Sequence, residues 1–205
     1  MITSEPEIEA LLAPLTMDED RVTARLHARL AAAAERDGVL DIAYRTLDTP
    51  VGTLLLAVTG QGLVKVAYGR QDHDQVLAEL ASAVSPRILR VPRRLDEASR
   101  QLGEYFEGRR TLFELPLDLR LASGFRRSVL AVLPGIGYGH TWSYAQVAAA
   151  AGNPRAVRAA GSACGANPLP IVVPCHRVVR SDGSPGGYVG GADVKRTLLG
   201  LESAA

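Results

Sequence analysis

The feature that most constrains this chain is an apolar β-branched run that a proline interrupts, with a cysteine directly after the break. Ile171–Val173 is typical of a short buried strand, because β-branched side chains fit an enclosed pleated surface. Pro174 lacks a backbone donor and has a fixed φ, so a central strand cannot continue through it. Cys175 and His176 follow at once. We therefore expect Cys175 to be a candidate nucleophile at an irregular point of the chain, although an isolated Cys-His pair is more often structural.

Length and composition allow one ordinary domain or two small ones. The 205 residues are 47% hydrophobic, which is enough to bury a core. The first fifteen residues carry three glutamates and no basic cluster before an apolar run, so no secretory signal is expected. No apolar stretch approaches the length of a membrane span. With Cys164 and Cys175 as the two cysteines, we expect a cytoplasmic protein with free thiols and no membrane contact.

Charge is distributed unevenly along the chain. Residues 1–120 carry 15 Arg or Lys against 19 Asp or Glu, a net charge of −4, whereas residues 121–205 carry 8 against 3, a net charge of +5. A basic second half is what a phosphate-binding surface requires. Ordinary scatter of surface charge explains the same numbers, and charge alone slightly favours that interpretation.

Periodicity and turn residues divide the chain into three parts and predict an α+β fold. Residues 1–38 are predicted to be a helical extension, with helical spacing from Asp18 to Arg36. Residues 39–120 are predicted to form an α/β scaffold domain, an antiparallel sheet with flanking helices. The predicted strands of that domain are Leu40–Leu47, Thr53–Thr59, Leu63–Tyr68 and Leu115–Leu119, and its predicted helices are His73–Val84 and Arg94–Glu107.

Residues 121–205 are predicted to form a mostly helical C-terminal domain that contains a helix-turn-helix. Ser143 suits the N-cap of a helix over Tyr144–Ala151, and Gly152–Pro154 makes a turn. A second helix is expected over Arg155–Cys164. The alternative is an ordinary αα-hairpin, which is the commoner arrangement.

Several pieces around the cysteine together resemble one family. They are Asn167-Pro168-Leu169-Pro170, Pro174-Cys175-His176-Arg177-Val178, Gly186-Gly187-Tyr188-Val189-Gly190-Gly191, Lys195, Leu198-Leu199 and Glu202. In this combination the sequence resembles the 6-O-alkylguanine-DNA alkyltransferases, also called methylated-DNA–protein-cysteine methyltransferases. The likeness is strongest from Phe125 to Glu202 and weaker from about Asp41 to Leu119.

The resemblance implies a ribonuclease H-like first domain and single-turnover DNA repair. A flipped 6-O-alkylguanine in duplex DNA gives its alkyl group to the protein's own cysteine, and 4-O-alkylthymine is a further candidate substrate. The implied partner is duplex DNA that carries an alkylated guanine, and the implied state is a monomer. The zinc-binding cysteines of the family have no counterparts here, so no metal and no cofactor are expected.

The resemblance also implies a role for each catalytic residue. Cys175 is the nucleophile, its proton passes through a water to His176, and Glu202 orients the imidazole. Tyr144 acts on guanine N3, and Asn167 ties together the turns around the site. A free thiol is only a few per cent ionised at neutral pH, so we expect a lowered pKa for the thiol. The full catalytic set is Cys175, His176, Glu202, Asn167, Tyr144 and Lys195.

A DNA surface and a base pocket are implied in the same way. An arginine of the second helix, Arg158, takes the place of the extruded nucleotide, whose extrusion costs a few kcal/mol. Val189 stands where many relatives carry Ser or Thr, so a hydroxyl contact to the guanine is lost. The implied DNA-binding residues are Arg158, Arg155, Ala156, Ser143, Arg126 and Arg127. The implied pocket residues are Val178, Tyr188, Val189, Gly186 and Pro170, and the last two leave room for alkyl groups larger than methyl.

Three other functions are compatible with parts of this pattern. A non-catalytic lesion-binding protein of the alkyltransferase-like type carries tryptophan in place of the cysteine, so Cys175 counts against it. A thiol hydrolase would use Cys175 and His176 but would not need the adjoining helix pair with Arg158. A DNA-binding regulator would use the cysteine as a sensor, but the separate zinc-bearing half of such proteins has no counterpart in this sequence.

Overall fold

A long helix precedes the rest of the fold. The computed structural model describes the backbone of residues 5–203 and the side chains of residues 21–203, so the ends of the predicted extension, 1–4, and of the chain, 204–205, lie outside the described residues. Helix α1 (Glu5–Arg36) contains the predicted helical stretch from Asp18. Its side chains from residue 21 to residue 30 are exposed, and it rests on the body through its last turns, where Ala31 and Ala34 are buried and Glu35 pairs with Arg93.

The following segment forms a four-stranded sheet with the order β3-β2-β1-β4. The three antiparallel strands predicted from sequence are confirmed as β1 (Ile42–Leu47), β2 (Leu54–Thr59) and β3 (Gly62–Tyr68). The prediction of a wholly antiparallel sheet is wrong, because β4 (Ile88–Arg90) pairs with β1 in parallel and makes the sheet mixed. Three residues between Pro86 and Pro92 are too short to show an alternating pattern.

Both faces of this sheet are covered. Helix α2 (His73–Ala83) packs on one face, and helix α3 (Asp96–Phe106) packs on the other. Successive residues of β2 therefore enter opposite layers, as the two-residue period of a strand requires: Leu54 and Leu56 pack on the α3 side and Leu55 on the α2 side. The run of apolar residues in β2 is explained by this burial on both faces.

The strand predicted over Leu115–Leu119 is not formed. A single bridge joins Leu117 to Leu63, where Leu63 N–H donates to the Pro116 carbonyl and Asp118 N–H donates to the Leu63 carbonyl, each at 2.8 Å. Pro116 has no N–H to donate, so the pairing cannot extend along a ladder.

The C-terminal part is mostly helical. It contains α4 (Gly124–Val132), α5 (Tyr144–Ala150), α6 (Val157–Gly165) and α7 (Ala192–Ser203), and the short strands β5 (Trp142–Ser143) and β6 (Val178–Val179) pair in parallel. The predicted cap is confirmed, since the Ser143 hydroxyl accepts from the Gln146 N–H. Helix α6 begins two residues later than predicted, because a turn in which Ala156 N–H donates to the Asn153 carbonyl precedes it.

The strand predicted over Ile171–Val173 is also absent. These residues are buried, as their composition indicates, but they form turns, with Ile171 at a φ of +72°. The N–H of Val173 donates to the Leu169 carbonyl at 2.8 Å instead of to a neighbouring strand. The apolar pattern therefore predicted the environment of the run correctly and its backbone conformation wrongly.

Candidate active site

The turns that carry the cysteine are organised by one buried amide. Asn167 donates through Nδ2 to the carbonyl of Val173 at 2.8 Å, and its Oδ1 accepts from the N–H of Leu169 at 2.9 Å. These two hydrogen bonds replace the pairing that a strand would have supplied. The same Nδ2 lies 3.1 Å from the sulfur of Cys175 and donates to it. Asn167 thus shapes the loop and contacts the thiol with one side chain.

The thiol of Cys175 is enclosed. It is only 2% exposed, and it begins a 3₁₀ turn over Cys175–Arg177. Burial raises the pKa of Cys175 to about 11, because the hydrogen bond from Asn167 and the charge of Lys195, which both favour the thiolate, do not outweigh desolvation. The expected lowering of the thiol pKa is therefore wrong for this state of the protein. The sulfur is a neutral thiol at neutral pH.

The imidazole of His176 contacts the last helix, α7. Its Nε2 lies 2.8 Å from Oε1 of Glu202, and its Nδ1 is buried with no hydrogen-bond partner among the described residues. Burial lowers the pKa of His176 despite the opposing influence of Glu202, so the ring is neutral. A carboxylate at Nε2 places the single ring proton there, which leaves the lone pair of Nδ1 unused.

Glu202 is the centre of a buried polar cluster. Arg177 donates to both carboxylate oxygens, through Nε to Oε2 at 2.8 Å and through a terminal nitrogen to Oε1 at 3.0 Å. Burial would raise the pKa of Glu202, but the hydrogen bonds from His176 and Arg177 outweigh it and lower this pKa to about 2. The hydroxyl of Tyr105 also donates to Oε1, at 2.8 Å. The carboxylate is therefore ionised and held on both oxygens.

Two members of this cluster were not identified from the sequence as site residues. Arg177 follows His176 directly within the quoted motif, and that adjacency is a signal that could have found it. Tyr105 lies on α3, 97 positions before Glu202, and no local pattern connects the two.

Lys195 is buried, and no described carboxylate pairs with it. Its ammonium donates to the carbonyl of Val178 at 2.6 Å and lies 6.0 Å from the centre of the Tyr144 ring. Burial lowers the pKa of Lys195. The lysine therefore ties α7 to β6 next to the cysteine turn, and it places a cation near both Tyr144 and the sulfur.

The predicted pocket residues lie around the cysteine loop, and two glycines there, the predicted Gly186 and the neighbouring Gly190, allow close approach. At Gly186 a Cβ atom would lie 2.2 Å from the Tyr144 hydroxyl, and at Gly190 it would lie 2.8 Å from the Tyr68 ring. The hydroxyls of Tyr68 and Tyr188 are 2.8 Å apart, so β3 also contributes to this wall. Burial raises the pKa of Tyr144, which keeps its hydroxyl a donor. Val178 and Pro170 are buried, and Val189 is partly buried.

The predicted DNA-binding residues divide into two groups. Arg155 and Arg158 are exposed at and just before the first turn of α6, and Arg127 is exposed on α4. Arg126 differs, because it is half-buried and donates to the carbonyl of Leu121 at 2.8 Å. The side chains of Ser143 and Ala156 are partly buried. The helix pair therefore presents free guanidinium groups mainly at the start of its second helix.

Two other structural features are absent from the described residues. Within that part of the chain, no three or more His, Cys, Asp or Glu side chains cluster so as to hold a metal ion. No helix there combines the length and apolar character needed to cross a membrane.

Comparisons with known proteins agree with this geometry. The model of the 6-O-methylguanine DNA methyltransferase ribonuclease-like domain matches residues 42–119, and that of the DNA binding domain matches residues 124–204. The methylated-DNA–protein-cysteine methyltransferase of Mycolicibacterium paratuberculosis is 44% identical over 78% of this chain and 92% of its own. The constitutive enzyme of Bacillus subtilis is 38% identical over 78% of this chain and 94% of its own.

Solved structures give the same result. A crystal structure of Mycobacterium tuberculosis O6-methylguanine methyltransferase has a TM-score of 0.70 at 39% identity, over 80% of this chain and 93% of its own. A structure of the Mycobacterium tuberculosis protein in complex with DNA has the same TM-score at 40% identity, over 79% and 93%. The two family models, the curated relatives and these structures agree on one conclusion: the chain belongs to the 6-O-methylguanine DNA methyltransferase family.

Proposed function

We propose that this protein repairs DNA by transferring the alkyl group of a 6-O-alkylguanine to Cys175 in a single turnover. DNA is the partner, and the alkylated guanine of a duplex is the substrate. The observation that carries the proposal is the pair of nitrogens on His176, the residue that follows Cys175 in the chain: Nε2 is bonded to an ionised Glu202, and Nδ1 is buried with no partner among the described residues. This is the arrangement of an oriented base next to a nucleophile.

The thiol is deprotonated during the reaction rather than before it. Its proton passes through a water to Nδ1 of His176, and Glu202 stabilises the imidazolium that forms. The sulfur attacks the alkyl carbon, a carbon–sulfur bond forms, and the bond from that carbon to guanine O6 breaks. Tyr144 donates a hydrogen bond at N3 while charge develops on the leaving base. The proton lost by the thiol finally neutralises the guanine, so the products are a thioether and guanine.

The helix pair supports binding to duplex DNA with the base flipped out. Helix α6 suits a close approach to the minor groove, because small residues, Ala156 at its N-cap and Ala159 in its first turn, flank Arg158. Arg158 fills the space of the extruded nucleotide, while Arg155 and Arg127 contact phosphates. Arg126 is bonded to the Leu121 carbonyl, so we assign it to the support of α4 rather than to the phosphates.

The protein is a stoichiometric reagent. The carbon–sulfur bond of a thioether on Cys175 is not hydrolysed in neutral water, so each chain reacts once. The catalytic side chains Cys175, His176, Glu202 and Asn167 all come from one chain, and we therefore propose that a monomer is sufficient. The reaction as written consumes no cofactor.

The test is to incubate the protein with a duplex that contains one 6-O-methylguanine and to weigh the peptide that carries Cys175. We expect one added methyl group per chain and loss of the lesion. Cys164→Ser is the matched control, because both thiols are buried but the Asn167 side chain donates to the sulfur of Cys175. C164S should transfer normally and C175S should not transfer. An unmodified Cys175 peptide in the wild type, with the lesion still present, would indicate lesion binding alone.

A further inference from the structure

The buried cluster at Glu202 includes a hydroxyl from outside the C-terminal part of the chain. Tyr105, on α3, is completely buried, and its hydroxyl donates to Oε1 of Glu202 at 2.8 Å. Burial and the neighbouring charge of Glu202 raise the pKa of Tyr105, so the phenol is always protonated and always a donor. A buried tyrosine hydroxyl needs some partner, and here the partner is the carboxylate that contacts His176.

Tyr105 donates to the same carboxylate oxygen of Glu202 that contacts His176. Oε1 accepts from three donors, namely Tyr105, Arg177 and Nε2 of His176, at 2.8, 3.0 and 2.8 Å. A carboxylate oxygen has two lone pairs, so three donors leave little angular freedom. Arg177 fixes the plane of the carboxylate by bonding to both of its oxygens. Tyr105 and the imidazole therefore share the remaining acceptor capacity of Oε1, so loss of the Tyr105 donor would free the contact between Oε1 and Nε2 to change.

We propose that Tyr105 is a positioning residue for the transfer reaction, which acts through Glu202 to hold His176 in the tautomer that carries its proton on Nε2. The inference rests on the proposed function and deepens it. The N-terminal part of the chain thereby supplies a group to the active site across the junction of the two matched family segments. This part of the chain therefore contributes a side chain of α3 to the active site in addition to supporting the fold.

The matched control lies in the same aromatic cluster. The ring of Tyr138 packs edge-on against Tyr105, with 6.2 Å between centroids, and Arg177 lies 5.7 Å from its centre. The Tyr138 hydroxyl, however, donates weakly to the Leu201 carbonyl at 3.4 Å and does not contact Glu202. Y105F and Y138F each remove one hydroxyl from this cluster and keep the ring.

The first measurement is the single-turnover rate on a methylguanine duplex, together with DNA affinity and the melting temperature. We expect Y105F to transfer about tenfold more slowly, as loss of a hydrogen bond to a charged group implies, with unchanged DNA affinity. Y138F should react at the wild-type rate. Rates are compared below the melting transition of each variant. If the wild type itself does not transfer, the proposed function fails; if it does and Y105F matches Y138F, only the positioning role fails.

The second measurement does not depend on DNA or activity. Nitrogen-15 NMR of labelled histidine reports which nitrogen of His176 carries the proton. We expect the wild type and Y138F to show the Nε2–H tautomer, and Y105F to show a smaller share of it. An unchanged tautomer in Y105F would overturn the proposal.

A double-mutant cycle tests whether the effect passes through the carboxylate. If Tyr105 acts through Glu202, adding Y105F to E202Q should slow transfer no further, because the positioned group is already lost. Equal slowing by Y105F in the wild type and in the E202Q background would show an independent role and overturn the proposal.

Discussion

For the single residue Cys175, the main question is how a neutral thiol becomes a nucleophile. With a pKa of about 11, deprotonating Cys175 at pH 7 costs about 5 kcal/mol of free energy, since each pKa unit corresponds to about 1.4 kcal/mol. A resting thiolate is therefore unfavourable in this enclosed site. In the proposed mechanism, transfer of the proton to a neutral His176 during the attack avoids that intermediate state. Glu202 would then stabilise the charge that appears on the imidazole.

Glu202 also makes stability depend on pH. Its folded pKa of about 2 lies below its ordinary value of 4.5, so the folded state resists protonation. The stabilisation is complete above about pH 4.5 and is lost as the pH falls from there towards 2; at most it amounts to about 3 kcal/mol. We expect the free energy of unfolding in urea to fall over this range in the wild type. In E202Q this contribution to the fall should be absent.

At pH 7, E202Q should be less stable by about 3 to 5 kcal/mol, because Arg177 stays buried without its counter-charge. The control is Glu114→Gln, since that carboxylate is exposed and lies 3.6 Å from its arginine. Equal acid sensitivity in E202Q and the wild type would contradict the assignment.

Among the structural elements, the sequence predicted the apolar strands and helices well and the irregular segments poorly. Strands β1 to β3 and helix α2 have strong periodicity, and α5 has a clear N-cap at Ser143; all of them appear within a few residues of their predicted bounds. Ile171–Val173 is equally apolar, but it forms turns, because the Asn167 side chain bonds to the Val173 carbonyl and to the Leu169 N–H. The sequence motif around Cys175 did predict that Asn167 and His176 belong to the same site. Tyr105 could not be predicted, because its contact exists only after α3 and α7 have packed together.

The bridge between β3 and the segment at Pro116 depends on a glycine. Gly62 has a φ of +137°, and a Cβ there would lie 2.2 Å from the Pro116 carbonyl oxygen, a backbone atom that cannot rotate away. We expect Gly62→Ala to lower the free energy of unfolding by about 2 to 4 kcal/mol through strain and steric overlap. Gly60→Ala is the control in the same turn, because a Cβ there meets no atom within 4 Å. Equal unfolding midpoints in urea for the two variants would refute this account.

On the scale of the whole molecule, the basic C-terminal half makes DNA affinity depend on salt. Each arginine that neutralises a phosphate adds about −0.9 to the slope of log affinity against log salt concentration. With C175S as a non-reacting background, we expect Arg127→Ala to make the slope shallower by about 1. Arg126→Ala should leave the slope unchanged, because Arg126 bonds to the Leu121 carbonyl. An identical slope in R127A and its parent would exclude Arg127 from the phosphate contacts.

Helix α1 gives the molecule an appendage that a protease can reach. Arg21, Arg25 and Arg29 are exposed along it, and Ala31 is the first buried residue among its described side chains. Because the described side chains ahead of Ala31 are exposed, this stretch opens locally at little free-energy cost, so limited trypsin digestion should cleave after these arginines before it cuts elsewhere. Mass spectrometry should then find fragments that start at residue 22, 26 or 30 and still accept a methyl group. Residues 1–29 would then be unnecessary for alkyl transfer, and this segment could carry a fused tag or linker without loss of the reaction.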